Sequence, residues 1–140
     1  MKLFLDTSVL VAASGSSKGA SRFIIESAPG QQWILLTAPY CVEETVRNVP
    51  KLGRTAAMAW RKTIHPALVL VPNELALDKA LVFPKAKDRH VLISALGAEA
   101  DVLLTLDEGD FQNVIGSQVY GMAVRTPGQF LLEQRKAGLL

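Results

Sequence analysis

The 140 residues, 49% of them apolar and 20% charged, are enough for one domain (1–140) on one core, and they exclude a disordered tail, a fibrous repeat or a solvated charged segment. Fifteen Lys and Arg against thirteen Asp and Glu leave a net charge of +2, too weak an overall field to argue for polyanion binding, so a nucleic-acid case has to rest on local clusters. A lone cysteine, Cys41, allows no internal disulfide or zinc cluster and fits a reducing, cytoplasmic compartment.

Met1 to Leu5 superficially resembles the apolar part of a signal peptide, but Asp6 interrupts it, and the run reads as a strand. No apolar run approaches the roughly 18 to 20 residues that a membrane-spanning helix requires, which predicts a soluble chain with no membrane partner. In chain order, apolar runs at 3–5, 33–36, 67–71, 102–106 and 119–124 predict strands buried on both faces. Between and after them, 19–28, 40–49, 54–64, 75–82, 89–99 and 127–136 carry the apolar spacing of helices. The alternation predicts an α/β domain: a mainly parallel sheet of about five strands with helices on both faces, connected right-handedly. In such sheets ligands collect at the carboxyl ends of the strands.

Acids stand at those ends. Asp6 follows the first strand and Asp107 ends Val102-Leu103-Leu104-Thr105-Leu106, so both carboxylates are expected at the same sheet edge. Each could equally be a turn or helix cap, Asp6 before Thr7 and Ser8, Asp107 before Gly109. If a helix starts near Asp88, that residue shares a face with Val91, Leu92 and Ala95, and its carboxylate points toward protein. A buried carboxylate needs a cation or several donors, unless it serves as a plain N-cap. A fourth acid comes from Glu43 or Glu44. With Val42, Val46 and Val49 taken as the buried stripe of their helix, Glu43 falls on its flank and Glu44 nearly opposite, which makes neither a core residue. Four carboxylates at one edge would repel unless a hard cation neutralised them. Oxygen-only ligands favour magnesium or manganese over zinc or copper, and such a site can activate a water for attack on a phosphodiester.

Five blocks, in order over nearly the whole chain, resemble those of the PIN domains, metal-dependent ribonucleases that include the VapC-type toxins of bacterial toxin-antitoxin pairs. Leu3-Phe4-Leu5-Asp6-Thr7-Ser8-Val9-Leu10 is similar to the opening strand and first acid. Tyr40-Cys41-Val42-Glu43-Glu44-Thr45-Val46-Arg47-Asn48 resembles the second block, with its acid on Glu44. Lys87-Asp88-Arg89-His90-Val91-Leu92-Ile93-Ser94-Ala95 resembles the third, and Ala100-Asp101-Val102-Leu103-Leu104-Thr105-Leu106-Asp107 the fourth. Arg125-Thr126-Pro127-Gly128-Gln129-Phe130-Leu131 is similar to the closing segment of many members. The chain departs from the pattern in the adjacent Glu43 and Glu44, and in the extra carboxylates Glu108 and Asp110 after Asp107.

The resemblance implies metal binding and water activation by Asp6, Glu44, Asp88 and Asp107, with Glu43 and Asp110 in reserve. It also implies orienting hydroxyls on Ser8 and Thr105, Mg2+ or Mn2+ as cofactor, RNA as substrate, a cognate antitoxin protein as partner, and a homodimer. Between Glu44 and Glu74 the only charged side chains are basic: Arg47, Lys51, Arg54, Arg61 and Lys62. They form a solvated helix face or an RNA backbone track, and Lys85, Lys87 and Arg89 beside Asp88 are further candidates to hold phosphates. Trp33, Trp60 and Cys41 are expected in the core, and His65 at the surface. Two other functions compete with a ribonuclease. A phosphatase with Asp6 as nucleophile would need a second Asp where Ser8 stands, and a non-catalytic interaction module would not need all four acidic positions filled.

Overall fold

Leucine, valine and phenylalanine fill the strands of a single sheet. In a computed structural model, which describes residues 1–72 and 86–140 except for the side chains of 86–89, these strands are β1 (Lys2–Leu5), β2 (Ile34–Thr37), β3 (Val69–Leu70), β4 (Val102–Leu104), β5 (Gln118–Val119) and β6 (Met122–Arg125). Their order is β3-β2-β1-β4-β6-β5, and every neighbouring pair is parallel except the last. β1 is central, with Phe4 opposite Leu36 on one side and Leu103 on the other. Successive side chains of a strand point to opposite faces, and Leu3, Phe4 and Leu5 are all fully buried, so both faces are covered.

The helices among the described residues are α1 (Thr7–Gly15), α2 (Ala20–Gln31), α3 (Pro39–Asn48), α4 (Arg54–Ala59), α5 (Ala86–Gly97), α6 (Glu108–Phe111) and α7 (Pro127–Lys136). The α/β alternation and the mainly parallel sheet match the sequence reading, and α7 has the bounds read from its apolar spacing. Its capping box is complete: the Thr126 hydroxyl accepts from the Gln129 amide, and the Gln129 side chain accepts from the Thr126 amide. β6 and α7 join the same core, since Met122, Val124, Phe130 and Leu131 are buried with the strands. Trp33 meets Phe130 edge to face, with ring centroids 5.1 Å apart.

Five expectations need correction. The stretch 119–124 is not one strand, because Tyr120 and Gly121 both take positive φ (48° and 84°) and turn the chain into a tight hairpin between β5 and β6. Among the described residues the sheet therefore has six strands. β3 is not buried on both faces: Val69 and Leu70 are about half exposed at the sheet edge (50% and 52%). The helix expected over 54–64 breaks after α4 into one wider turn, Trp60–Ile64. α1 and α6 were not read as helices. α1 packs on α2, α3 and α4, and it has no polar face to produce a periodic signal. Finally, Val46 is exposed (50%), so the stripe assigned to α3 is misplaced; Cys41 and Thr45 face the core instead, with Val49 just beyond the helix. Thr45 tolerates burial because its hydroxyl donates to the Cys41 carbonyl one turn back, at 2.7 Å. The helix expected over 75–82 lies outside the described residues.

Candidate metal and nuclease site

Parallel strands deliver their carboxyl ends to one edge, and β1, β2 and β4 each lead there into a loop or helix. Asp6 leaves β1 as the N-cap of α1, and its backbone amide still bonds the Leu104 carbonyl of β4 at 3.1 Å. That bond ties the first acid to the strand carrying the next cluster. Its carboxylate accepts from the Thr7 amide at Oδ1 (2.8 Å), and from the Ser8 and Thr105 hydroxyls at Oδ2 (3.0 and 2.9 Å). The two hydroxyls are fixed in turn. Ser8 Oγ accepts from the Leu106 amide at 2.9 Å, and Thr105 Oγ1 accepts from the Asp107 amide at 3.1 Å. Both protons are thereby aimed at Asp6.

Asp6 is only 7% exposed. Burial pushes its carboxyl above the ordinary 3.8; the three hydrogen bonds pull it back only in part, and the negative charge of Asp107 adds to the rise. Burial of the Cys41 thiol, helped by the Asp6 charge, raises it to about 11, so Cys41 is a neutral core thiol.

Glu44 comes from α3. It is partly buried, its Oε1 accepts the Thr7 hydroxyl at 3.1 Å, and its backbone carbonyl accepts the Asn48 side-chain amide at 2.7 Å. Glu43 is exposed and does not line the cleft. The sequence reading had these two the other way round relative to the buried stripe. With Cys41 and Thr45 as the buried positions, Glu44 and Asn48 form the adjoining row at the i, i+4 spacing, and Glu43 faces away. Asp107 is the N-cap of α6, where its Oδ1 accepts the Asp110 amide at 3.0 Å.

These groups border one cleft of about 420 Å³. Asp6, Glu44, Asp107 and Asp110 supply carboxylates, Thr7, Ser8 and Asn48 supply neutral polar groups, and Val11, Tyr40, Val91 and Phe111 make the rest of the wall. Among the described residues no Lys, Arg or His lines it. Sequence reasoning did not assign Thr7, Tyr40 or Asn48 to the site. The one sequence signal for Asn48 is its position one turn beyond Glu44, on the same helix face.

Asp88 is the third residue of α5, inside its first turn rather than before it. Its side chain, like those of Lys87 and Arg89, lies outside the described residues, and so does Lys85. The apolar face read from this segment is present, with Val91, Leu92 and Ala95 all buried. Arg47, Lys51, Arg54, Arg61 and Lys62 are all exposed. Lys51 reaches the Asn48 side-chain oxygen at 3.4 Å. Trp33, Trp60 and Cys41 are buried; His65 is exposed and stacks on Trp60 with the planes 7° apart.

The donor set among the described lining residues is all oxygen, which suits a hard divalent cation that keeps part of its hydration shell. Among the described residues no three His, Cys, Asp or Glu side chains stand close enough to enclose a bare ion. Direct ligation by one or two carboxylates with waters completing the shell is the arrangement these residues fit.

A six-stranded, mostly parallel sheet with an acid-lined cleft at the carboxyl edge of its central strands defines a nuclease-type α/β domain. The chain belongs to the PIN domain family, whose model matches residues 2–109. PIN domain nucleases generally use divalent metals and act on nucleic acid. No curated protein matched the chain. Among the described residues no helix is long and apolar enough to cross a membrane.

Proposed function

We propose that the chain is a cytoplasmic, single-domain ribonuclease that hydrolyses RNA phosphodiester bonds with Mg2+ or Mn2+, the toxin of a toxin-antitoxin pair. The observation that carries this reading is the convergence of Asp6, Glu44 and Asp107 on one cleft. Asp88, in the first turn of α5, is the fourth acid, and Asp110 adds a carboxylate beside Asp107. The free, buried Cys41 supports the cytoplasmic assignment.

When bound, the metal lowers the pKa of a water and stabilises charge on the attacking and leaving oxygens. Asp6, Glu44, Asp88 and Asp107 would hold that cation. The Ser8 and Thr105 hydroxyls, with their protons directed at Asp6 Oδ2, and the Thr7 amide on Oδ1 fix the carboxylate plane. Exposed Arg47, Lys51 and Arg54, following Glu44, track the RNA backbone toward the cleft with Lys85, Lys87 and Arg89. A cognate antitoxin and a homodimer complete the assembly.

The competing reading is a non-catalytic interaction module. One experiment separates the two. Manganese affinity and cleavage of defined RNAs are measured for the parent, Glu44→Gln and Glu43→Gln. The nuclease reading expects manganese-dependent cleavage that falls sharply in Glu44→Gln and stays near the parent in Glu43→Gln, which alters only an exposed charge. A parent that binds manganese weakly and cuts no RNA establishes the module.

A further inference from the structure

Thr7 donates to two different acids. Its amide bonds Asp6 Oδ1 at 2.8 Å, and its hydroxyl bonds Glu44 Oε1 at 3.1 Å. Asp6 and Glu44 belong to separate elements, the β1–α1 junction and α3, and Thr7 hydrogen-bonds to both carboxylates. The amide contact exists for any residue at this position, because it follows from Asp6 capping α1. The hydroxyl contact does not.

The direction of that hydroxyl proton follows from its partner, since a carboxylate oxygen can only accept, so the Thr7 proton is the one that points at Glu44. Glu44 is also held from its own backbone, where its carbonyl accepts from Asn48 at 2.7 Å. A glutamate has three side-chain torsions to order, and a partly exposed one has solvent conformers open to it. The Thr7 contact selects the conformer that faces Asp6.

We propose that Thr7 is a positioning residue that sets the spacing of the Asp6 and Glu44 carboxylates and so preorganises the cleft for a divalent cation. The proposal rests on the metal-binding reading above. Its test is arranged so that the two fail separately. Thr7→Val keeps the shape and loses the hydroxyl, Thr7→Ala loses both, and Thr7→Ser keeps the hydroxyl.

Calorimetric titration of the purified proteins with manganese is expected to show about tenfold weaker binding in Thr7→Val and Thr7→Ala, the effect of losing a hydrogen bond to a charged group, with Thr7→Ser close to the parent. The Glu44 carboxyl carbon signal, read by NMR without metal, is expected to move in Thr7→Val and Thr7→Ala and to return in Thr7→Ser. A moved carboxyl signal with parental manganese affinity overturns the proposal. So does an unmoved signal in either hydroxyl-free variant. If the parent itself binds no manganese, the metal reading fails, and the NMR comparison still decides whether Thr7 positions Glu44. Equal manganese losses in all three variants would mean a packing effect and would likewise overturn it.

Discussion

Two neighbouring strands end in the same way and do different things with it. β1 and β4 pair in parallel, and each is followed by an aspartate that caps a helix: Asp6 for α1 and Asp107 for α6. Asp6 is buried and takes two hydroxyls and an amide, with one hydroxyl coming from the β4 side. Asp107 is partly exposed and is held through the Asp110 amide. The two ends are tied both ways, since Thr105 donates to Asp6 while Ser8 accepts the Leu106 amide. The nine residues of α1 pack against three other helices and force the Asp6 carboxylate inward, whereas the four of α6 leave Asp107 near solvent. An aspartate at a strand end is therefore as much a structural anchor as the depth of the helix behind it makes it.

The comparison can be broken first by activity. If both acids hold the cation, Asp6→Asn and Asp107→Asn should each reduce metal-dependent RNA cleavage by on the order of a thousandfold, whatever their difference in burial. Single-turnover cleavage under saturating magnesium measures this. A large loss confined to Asp6→Asn would reduce Asp107 to a cap.

Stability sharpens it next. Thr105→Val removes a donor from the buried Asp6 carboxylate and the acceptor of the Asp107 amide, so it should cost about 1–3 kcal/mol in urea denaturation. Asp107→Asn keeps a capping side chain and should shift stability by less than about 1 kcal/mol. Similar values for the two variants would erase the distinction between anchor and rim.

The smallest effect lies in the pH dependence. The Asp6 carboxyl is raised in the folded chain above its ordinary 3.8, mainly by burial. Above the raised value it is charged in both states, and its burial destabilises the fold. As the pH falls through the raised value toward 3.8, the folded state takes up the proton first and the penalty fades. Below 3.8 both states are protonated and nothing further changes. Relative to Asp6→Asn, the metal-free parent should therefore gain stability on acidification from neutral pH toward 4. A stability difference that is flat over that range would mean that the hydrogen bonds, rather than burial, govern Asp6.

How legible all this is in the amino-acid sequence depends on which forces act locally. The central strands show as apolar runs because burial on both faces removes alternation, and α7 shows because Thr126, Pro127 and Gln129 encode its start within four positions. α1 does not show, since Val9, Leu10, Val11, Ala12 and Ala13 contact neighbours on several sides and leave no periodic trace. The hairpin at Tyr120-Gly121 hides within an apolar stretch, because only Gly121 signals the positive φ that Tyr120 shares.

At the site, the acids after β1 and β4 can be found from their place at strand ends. The choice between Glu43 and Glu44 cannot be made from hydrophobic spacing, because Thr45 satisfies its hydroxyl inside the helix and buries like an apolar residue, while Val46 does the reverse. The family-like register places the acid at Glu44, and of the two glutamates Glu44 is the one that borders the cleft. The Thr7 contact to Glu44 spans 37 positions and has no local signature.

The pairing of β1 with β4 also bears on how the protein comes into being. Leu3 lies opposite Val102, and the Asp6 amide bonds Leu104, so the cleft is closed by residues almost a hundred positions apart in the chain. A polypeptide emerging from the ribosome has Asp6, Thr7 and Glu44 outside long before Thr105 and Asp107 exist. Until β4 arrives, the Asp6 carboxylate lacks its Thr105 donor and the cleft has no second wall. Domains of this kind fold as units once their distant pairings can close. The acid-lined cleft is thus assembled late, after β4 has been made and has paired with β1.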